Sequence, residues 1–338
     1  MSATIHRNGA EAETPSLDRL VALVAGDLNH VNAIILDRMQ SKVALIPELA
    51  GHLIAGGGKR MRPMLTLASA ALLDYPGTRH HKLAAAVEFI HTATLLHDDV
   101  VDGSGLRRGQ RTANLIWGNP ASVLVGDFLF SRSFELMVED GSLRVLRILS
   151  NASAVIAEGE VDQLTTQRRI ETSEEQVLAI ITAKTAALFA AACRIAAVVA
   201  EQGDAAELAL EAYGRNLGIA FQLADDAIDY SSDAAVMGKG TGDDFRDGKI
   251  TLPVVLAFAR GSEKDRAFWR AAMVEGKSGD ADLARATDLL EQSGALEDTI
   301  NRARTYGRRA IDALGMFSNG DAKVAMIDAA RFATARAF

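Results

Sequence analysis

No proline occurs between Pro120 and Pro253, and this absence constrains the fold more than any motif does. Proline removes a backbone donor and breaks a helix interior, so its absence leaves helices free to run. Apolar residues recur at helical spacing along the chain, and alternating runs of β-branched residues are scarce. The fold class predicted is therefore all-α. Start signals agree with it. Thr14-Pro15 places a cap before a proline at the first helical position, and Leu17, Leu20, Val21, Val24 and Leu28 follow at helical spacing. Thr172 with Glu175 reads as a capping box ahead of a helix over 177–200. Leu252-Pro253 opens another helix. Breaks fall at 56–58, 75–77, 118–120, 238–248 and 276–279. No repeat or low-complexity linker divides the chain, so a mobile polar leader over 1–13 and a single helical domain over 14–338 are expected.

Acids outnumber bases, 44 against 36, for a net charge of −8. Such a chain is a poor candidate for coating nucleic acid, so no nucleic-acid partner is expected. Any anionic ligand must be met by local cations or by metal. The single cysteine, Cys193, makes an internal disulfide impossible, leaves no thiol cluster for zinc and reads as a small core residue. A reducing, cytoplasmic setting fits. The first 15 residues have no apolar core of a secretory signal. The most apolar run, 186–200, is short and carries Arg194, which argues against a membrane span. Contact with a membrane surface stays open.

Two acidic stripes sit on apolar helices. In His91-Thr-Ala-Thr-Leu-Leu-His97-Asp98-Asp99-Val-Val-Asp102, Asp98 and Asp102 are four apart and share a face, with His91 on the same stripe. In Phe221-Gln222-Leu-Ala-Asp225-Asp226-Ala-Ile-Asp229, Gln222, Asp225, Asp226 and Asp229 form one stripe. Like charges at this spacing destabilise a helix by a few tenths of a kcal/mol per pair, and more where the surroundings are apolar. One such cluster reads as a solvated face; two copies on apolar helices do not. Six carboxylates without Cys or His ligand sets point to hard oxygen ligation, for which Mg²⁺ is the natural ion. An EF-hand does not fit, because the aspartate spacing and the helical context are wrong. His97 is expected to pack or to sit behind the ligands. Glu160 and Gln163, on a helix over 141–167, are expected to be satisfied at the surface or in the core.

Cations to meet an anion are also present. Gly56-Gly-Gly-Lys59-Arg60-Met-Arg62-Pro63 is a glycine-rich turn followed by bases, suited to phosphate, though taken alone a surface turn with solvated bases is the better reading. It is not a nucleotide-binding P-loop, because Leu53 and Arg60 occupy its key positions and no strand precedes it. Arg107-Arg108 follows the first acidic cluster within one short loop. Lys184 lies in the apolar stripe of Ile180, Ile181 and Leu188, where a lysine needs a fixed anion or a depressed pKa. Lys239 and Lys249 lie in the loop after the second acidic helix.

Jointly these motifs resemble the trans-isoprenyl diphosphate synthases of the polyprenyl synthetase family, from about residue 17 to the C-terminus. The Gly-Gly-Lys59-Arg-Met-Arg62-Pro segment, both aspartate motifs, Lys184-Thr185, Gln222 and Gly-Asp-Asp-Phe-Arg-Asp-Gly-Lys249-Ile-Thr-Leu-Pro253 match in order and spacing. The wording over 89–102 and 121–127 is most similar to the long-chain octaprenyl and decaprenyl, ubiquinone side-chain, synthases. The resemblance implies a helical bundle around a central cavity, expected as a homodimer. By matching positions it implies that Asp98 and Asp102, supported by Asp99, and Asp225, supported by Asp226 and Asp229, hold Mg²⁺, with three ions per site once substrate is bound. It assigns Arg107, Lys184, Thr185, Gln222, Lys239 and Lys249 to the allylic diphosphate. It assigns Lys59, Arg62, His91 and Arg108 to isopentenyl diphosphate. One departure, Gly103-Ser104-Gly105 after Asp102, is expected to loosen the link between the first cluster and Arg107-Arg108.

The implied reaction is head-to-tail 1'-4 condensation of isopentenyl diphosphate onto an allylic diphosphate such as farnesyl diphosphate. Departure of diphosphate separates a polyanion from an allylic cation, which metal and fixed cations stabilise. Released diphosphate serves as base, and apolar walls exclude water. Product length is expected to follow how far the chain grows down the helix bearing Asp98. Small Ala93, beside Thr94, predicts a long tunnel, with Phe89 as an alternative, deeper floor. Three rivals share parts of the pattern. A short-chain synthase is disfavoured by Ala93. A class I terpene cyclase has no need of the Lys59 and Arg62 pocket. A non-catalytic subunit of a heteromeric synthase should have degraded aspartate motifs.

Overall fold

The computed structural model describes residues 15–55, 58–107, 109–230 and 242–335. Among them the only strands are Leu106–Arg107 (β1) and Gln110–Arg111 (β2), an antiparallel pair of two residues each. The rest is helix and connecting turn. The elements in order are α1 (Asp18–Arg38), α2 (Leu45–Ala55), α3 (Met61–Leu72), α4 (Arg79–Val101), α5 (Ala113–Trp117), α6 (Asn119–Asp140), α7 (Leu143–Thr166) and α8 (Glu174–Ile181). They continue with α9 (Ala187–Val199), α10 (Asp204–Ile228), α11 (Asp243–Asp247), α12 (Leu252–Arg260), α13 (Glu263–Trp269), α14 (Asp280–Gln292), α15 (Ala295–Ala313) and α16 (Asp321–Ala335).

Two start signals are displaced from their sequence positions. Helix α1 begins at Asp18 rather than Pro15; Leu17 is its N-cap residue, and the Ser16 hydroxyl accepts from the Asp18 backbone N–H at 3.3 Å. Thr14 lies outside the described residues. The capping box before α8 is Ser173 with Gln176, not Thr172 with Glu175. Ser173 has the extended backbone a cap requires, while the Thr172 hydroxyl donates backwards to the Arg169 carbonyl. Such a cap is worth about 1 kcal/mol. The start at Leu252-Pro253 stands as expected.

Helices α8 and α9 are one rod interrupted by a π-helical turn over Thr182–Ala186. A π turn inserts one residue into the helical ladder and re-aims the side chains around it. Glycines allow neighbouring helices to close on that turn. A Cβ at Gly159 of α7 would lie 2.7 Å from the Ala183 Cβ, and one at Gly218 of α10 2.6 Å from the Ala186 Cα. A Cβ at Gly214 would collide with the Phe189 carbonyl. Helices α7, α9 and α10 therefore meet at backbone distance around Lys184.

The core falls into two apolar clusters. The larger draws on α1, α3, α4, α6, α7, α9, α16 and the first half of α10; Phe89, Ala93, Phe189, Cys193 and Leu217 are among its members. The smaller draws on α8, the second half of α10 and α12 to α15, around Tyr230, Phe245 and Trp269. Cys193 is fully buried, as expected of a packing residue, and burial pushes its thiol up to about 12. Two helices, Asp18–Arg38 and Glu174–Val199, are long and apolar enough to cross a membrane by length and composition. The second is longer than the apolar run noted in the sequence, because α8, the π turn and α9 are continuous. Its apolar faces are core, packed against α3, α7 and α10.

Candidate active site

Both acidic motifs end at a helix C-terminus. Asp102 is the C-cap of α4 and Asp229 the C-cap of α10. Carbonyl groups already crowd negative charge there, so each carboxylate is unfavourable by about 0.3–1 kcal/mol unless a cation answers it. The fold brings the two ends together through the segment after α11. Lys249 Nζ lies 3.0 Å from Asp102 Oδ2, 3.8 Å from Asp244 Oδ1 and 3.3 Å from Asp247 Oδ2. The Asp244 N–H donates to Asp229 Oδ2 at 3.1 Å. One lysine and one turn thus bridge segments far apart in sequence. Burial opposes the charge on Lys249, but Asp244, Asp102 and Asp247 outweigh it and hold its ammonium above the usual range.

The first cluster has further cations. Asp99, 1% exposed, receives Arg107 Nε at 2.9 Å and a terminal Arg107 nitrogen at 2.7 Å. Its carboxylate faces inward and fixes the partly exposed Arg107. The loop between them is tight rather than loosened. Gly103 adopts φ +61°, which favours glycine, the Ser104 N–H donates to the Asp99 carbonyl, and Thr112 and Asn114 both donate to the Ser104 carbonyl. The glycines permit the turn and the hydrogen bonds then hold it.

Lys184 meets its anion in Glu160, with Nζ 2.7 Å from Oε2. The sequence had left Glu160 to the surface or core, yet it stands in the site. So does Gln163, which lines a small cavity with Val101, Asp102, Glu160, Leu164, Gln167 and Lys249. Gln163 Oε1 is buried with no hydrogen-bond partner among the described residues. The signal in the sequence is the stripe Ile156, Glu160 and Gln163 on α7, continued by its C-cap Gln167, with Gly159 beside it for close approach. Asp244 is the third residue whose part was missed. His97 turns away from the acids, toward the Val123 carbonyl at 3.2 Å and Asp127 at 3.4 Å, as a packing residue would.

Asp98 is half-buried between these groups. Burial pushes its carboxyl up to about 7, Lys184 opposes this, and Glu160 and Asp102 add to it. A chain runs from the Thr185 hydroxyl, next to Lys184, to Gln222 Oε1 at 3.0 Å, and from Gln222 Nε2 to Asp226 Oδ1 at 2.8 Å. Burial and then the nearby Asp244 charge push Asp226 far above the carboxylate range, against the Gln222 hydrogen bond. A second basic corner lies at the start of α3. Arg62 is 3.0 Å from His91 Nε2 and stacks on the Phe189 ring at 4.4 Å, while Lys59 lies over the Phe332 ring at 4.4 Å. The Thr94 hydroxyl donates to the His91 carbonyl. Ala93 is fully buried and Phe89 nearly so, on the same α4 helix. Arg108 and Lys239 lie outside the described residues.

The donor set fits divalent cations. Asp98, Asp102, Asp225, Asp229 and Asp244 are all oxygen donors, the carboxyls of Asp98 and Asp226 are costly to ionise without added positive charge, and Gln163 presents an oxygen that nothing satisfies. An anion carrying several oxygens would be held between these ions, Lys184 and Lys249.

Comparison with known proteins agrees with this chemistry. The polyprenyl synthetase family model matches residues 43–290. The octaprenyl diphosphate synthase of Escherichia coli is 43% identical over 95% of this chain and 99% of its own. A polyprenyl synthase of Caulobacter crescentus, solved with calcium and isoprenyl diphosphate, superposes with a TM-score of 0.93 at 54% identity, covering 96% of this chain and 98% of that one. A decaprenyl diphosphate synthase of Rhodobacter capsulatus superposes with a TM-score of 0.92 at 49% identity, covering 96% and 100%. The two acidic helix ends, the lysine that joins them and these likenesses together place the chain in the polyprenyl synthetase family.

Proposed function

We propose that the protein is a long-chain trans-polyprenyl diphosphate synthase that extends an allylic diphosphate, such as farnesyl diphosphate, with isopentenyl diphosphate to about eight to ten isoprene units. Such a product suits the side chain of ubiquinone. The observation that carries the reading is the Lys249 bridge, which pairs Asp102 with Asp244, whose N–H in turn donates to Asp229 of the second motif.

Asp98, Asp102, Asp225 and Asp229, with Asp244 beside them, would hold Mg²⁺, three ions in the full complex, which would supply positive charge to stabilise the departing diphosphate. Lys184, Thr185, Gln222, Lys249, Lys239 and Arg107 belong to the allylic diphosphate. Arg107 acts from its fixed position on Asp99. Glu160 holds the Lys184 ammonium at the cavity. Lys59, Arg62, His91 and Arg108 take the second diphosphate, so the homoallylic alkene is held near the allylic carbon, and such positioning lowers the barrier by several kcal/mol. Apolar residues below the site, Phe189 and Phe221 among them, keep water from the cation. Ala93, with Thr94 and Phe89 as the other candidates on α4, sets the room for chain growth, because its methyl is the smallest side chain among them.

Helix α10 contributes to both apolar clusters, which supports one domain over 14–338. A homodimer through α5 and α6 is part of the same proposal. Leu124 and Val138, each 66% exposed, stand with Leu115, Ile116 and Phe134 on that face. Cytoplasmic residence, with peripheral membrane contact on product release, completes it. The test is to incubate purified protein with Mg²⁺, farnesyl diphosphate and isopentenyl diphosphate and size the products. Products of 40–50 carbons, eight to ten units of about five carbons each, support the reading; termination at 15 or 20 carbons overturns it in favour of a short-chain enzyme.

A further inference from the structure

Away from the cavity, three imidazoles gather around one carboxylate where α1 packs against the start of α4. Asp27 and His30 lie one turn apart on α1, and His80 and His81 stand in the first turn of α4. His81 Nε2 is 2.9 Å from Asp27 Oδ1, and His80 Nε2 is 3.6 Å from Asp27 Oδ2. The His30 and His81 rings stack with centroids 5.0 Å apart, and His80 lies 4.2 Å from His81. The donor atoms of Asp27, His30 and His81 all fall within 4.8 Å of one another. His80 and His81 are buried while His30 is exposed, so the cluster is both fixed and open to solvent. His80 Nδ1 is buried with no hydrogen-bond partner among the described residues.

We propose that Asp27, His30 and His81 form a second metal site, for a transition-metal ion of the zinc class, that ties α1 to the start of α4. Two imidazoles and one carboxylate, with a fourth position left for water, make a zinc-type set. Mg²⁺ prefers oxygen alone and would not compete well for it. A tetrahedral site with metal–donor distances near 2.1 Å spaces its donors roughly 3.4 Å apart. Closing from the present arrangement takes about 1 Å of movement, which the exposed His30 side chain can supply by rotation. His80 is a positioning residue here, because its Nε2 faces the second Asp27 oxygen and orients the carboxylate. Asp98 lies about 25 Å further along α4, at 1.5 Å rise per residue, so this site is separate from the catalytic one.

The test uses the full chain, stripped with a chelator and titrated with Co²⁺ alone while excess Mg²⁺ occupies the oxygen site. A single equivalent should bind with a visible band of tetrahedral, nitrogen-ligated character, displaced by Zn²⁺. His30→Gln changes an exposed residue and should weaken binding at least about tenfold while prenyl transfer keeps its normal rate. Asp98→Asn should leave the Co²⁺ band unchanged. Absence of a band, equal affinity in His30→Gln, or loss of the band in Asp98→Asn would each overturn the assignment, the last by moving the ion to the catalytic cavity.

Discussion

The two acidic motifs look alike in sequence and are held by different neighbours. At the end of α4, Asp99 holds Arg107, Asp102 holds Lys249, and Lys184 stands by Asp98 through Glu160. At the end of α10, Asp226 receives an amide from Gln222, and the charge that presses on it most is another acid, Asp244. The first motif carries Arg107 and Lys249 directly on two of its carboxylates. The second meets the same lysine through Asp244, whose N–H donates to Asp229 and whose carboxylate lies 3.8 Å from Lys249. Acidic groups at a helix C-terminus gain from added positive charge, so divalent cations should steady both ends.

The largest effect that separates the two comes from removing a ligand. Asp98→Ala and Asp225→Ala should each lower kcat by at least about 10²–10³-fold, with the helical circular dichroism unchanged. Raising Mg²⁺ should rescue neither. A near-normal rate in either purified variant would remove that motif from the chemistry.

Breaking the link between the clusters should come next. Lys249→Ala removes the charge shared by Asp102, Asp244 and Asp247 and should cost about 10²-fold in kcat through misplacement of the two halves. Arginine at the same position should recover part of the loss. A Lys249→Ala enzyme with unaltered kcat and unaltered Mg²⁺ dependence would show that the clusters work independently.

A change on α4 that leaves both clusters intact should alter the product and not the rate of the first addition. Ala93→Phe fills the fully buried face below Asp98 and should shift the products to fewer isoprene units. An unchanged length distribution by chromatography would place the tunnel elsewhere, with Phe89 as the next position to vary.

The smallest effect is on stability. Asp98 carries a carboxyl pushed up to about 7 in the fold, above its ordinary range. Its contribution is therefore fully present below pH 4 and is lost as pH rises through 7. The metal-free protein should lose melting temperature over that window, and Asp98→Asn should flatten the loss. A profile identical in the variant would mean that Asp98 does not feel the burial its position implies.

Much of this was legible in the sequence, and for identifiable reasons. The proline-free run and the helical spacing fix the all-helical class, and like charges at i and i+4 on apolar helices betray a cavity rather than a surface. Lys184 in a buried stripe announced an anion, but not which one. Glu160 was passed over because a single acid on a long helix looks solvated; only the approach of α7 to the π turn, allowed by Gly159, turns it inward. Asp244 was hidden because α11 is short and its position depends on hydrogen bonds from a distant turn. The glycines after Asp102 suggest slack, whereas the Ser104 N–H bond to the Asp99 carbonyl and two side-chain hydrogen bonds to the Ser104 carbonyl hold that loop. Local pattern sets the helices, and contacts between helices decide which polar residues face the cavity.

Both acidic helix ends should hold ions on one diphosphate. A crystal structure of the protein with Mn²⁺ and a non-reactive allylic thiodiphosphate, read by anomalous scattering, tests this directly. Ions should appear on the 98–102 side and on the 225–229 side of a single diphosphate, with Lys184 and Lys249 against its oxygens. Ions confined to one motif, or a diphosphate bound away from the other, would contradict it.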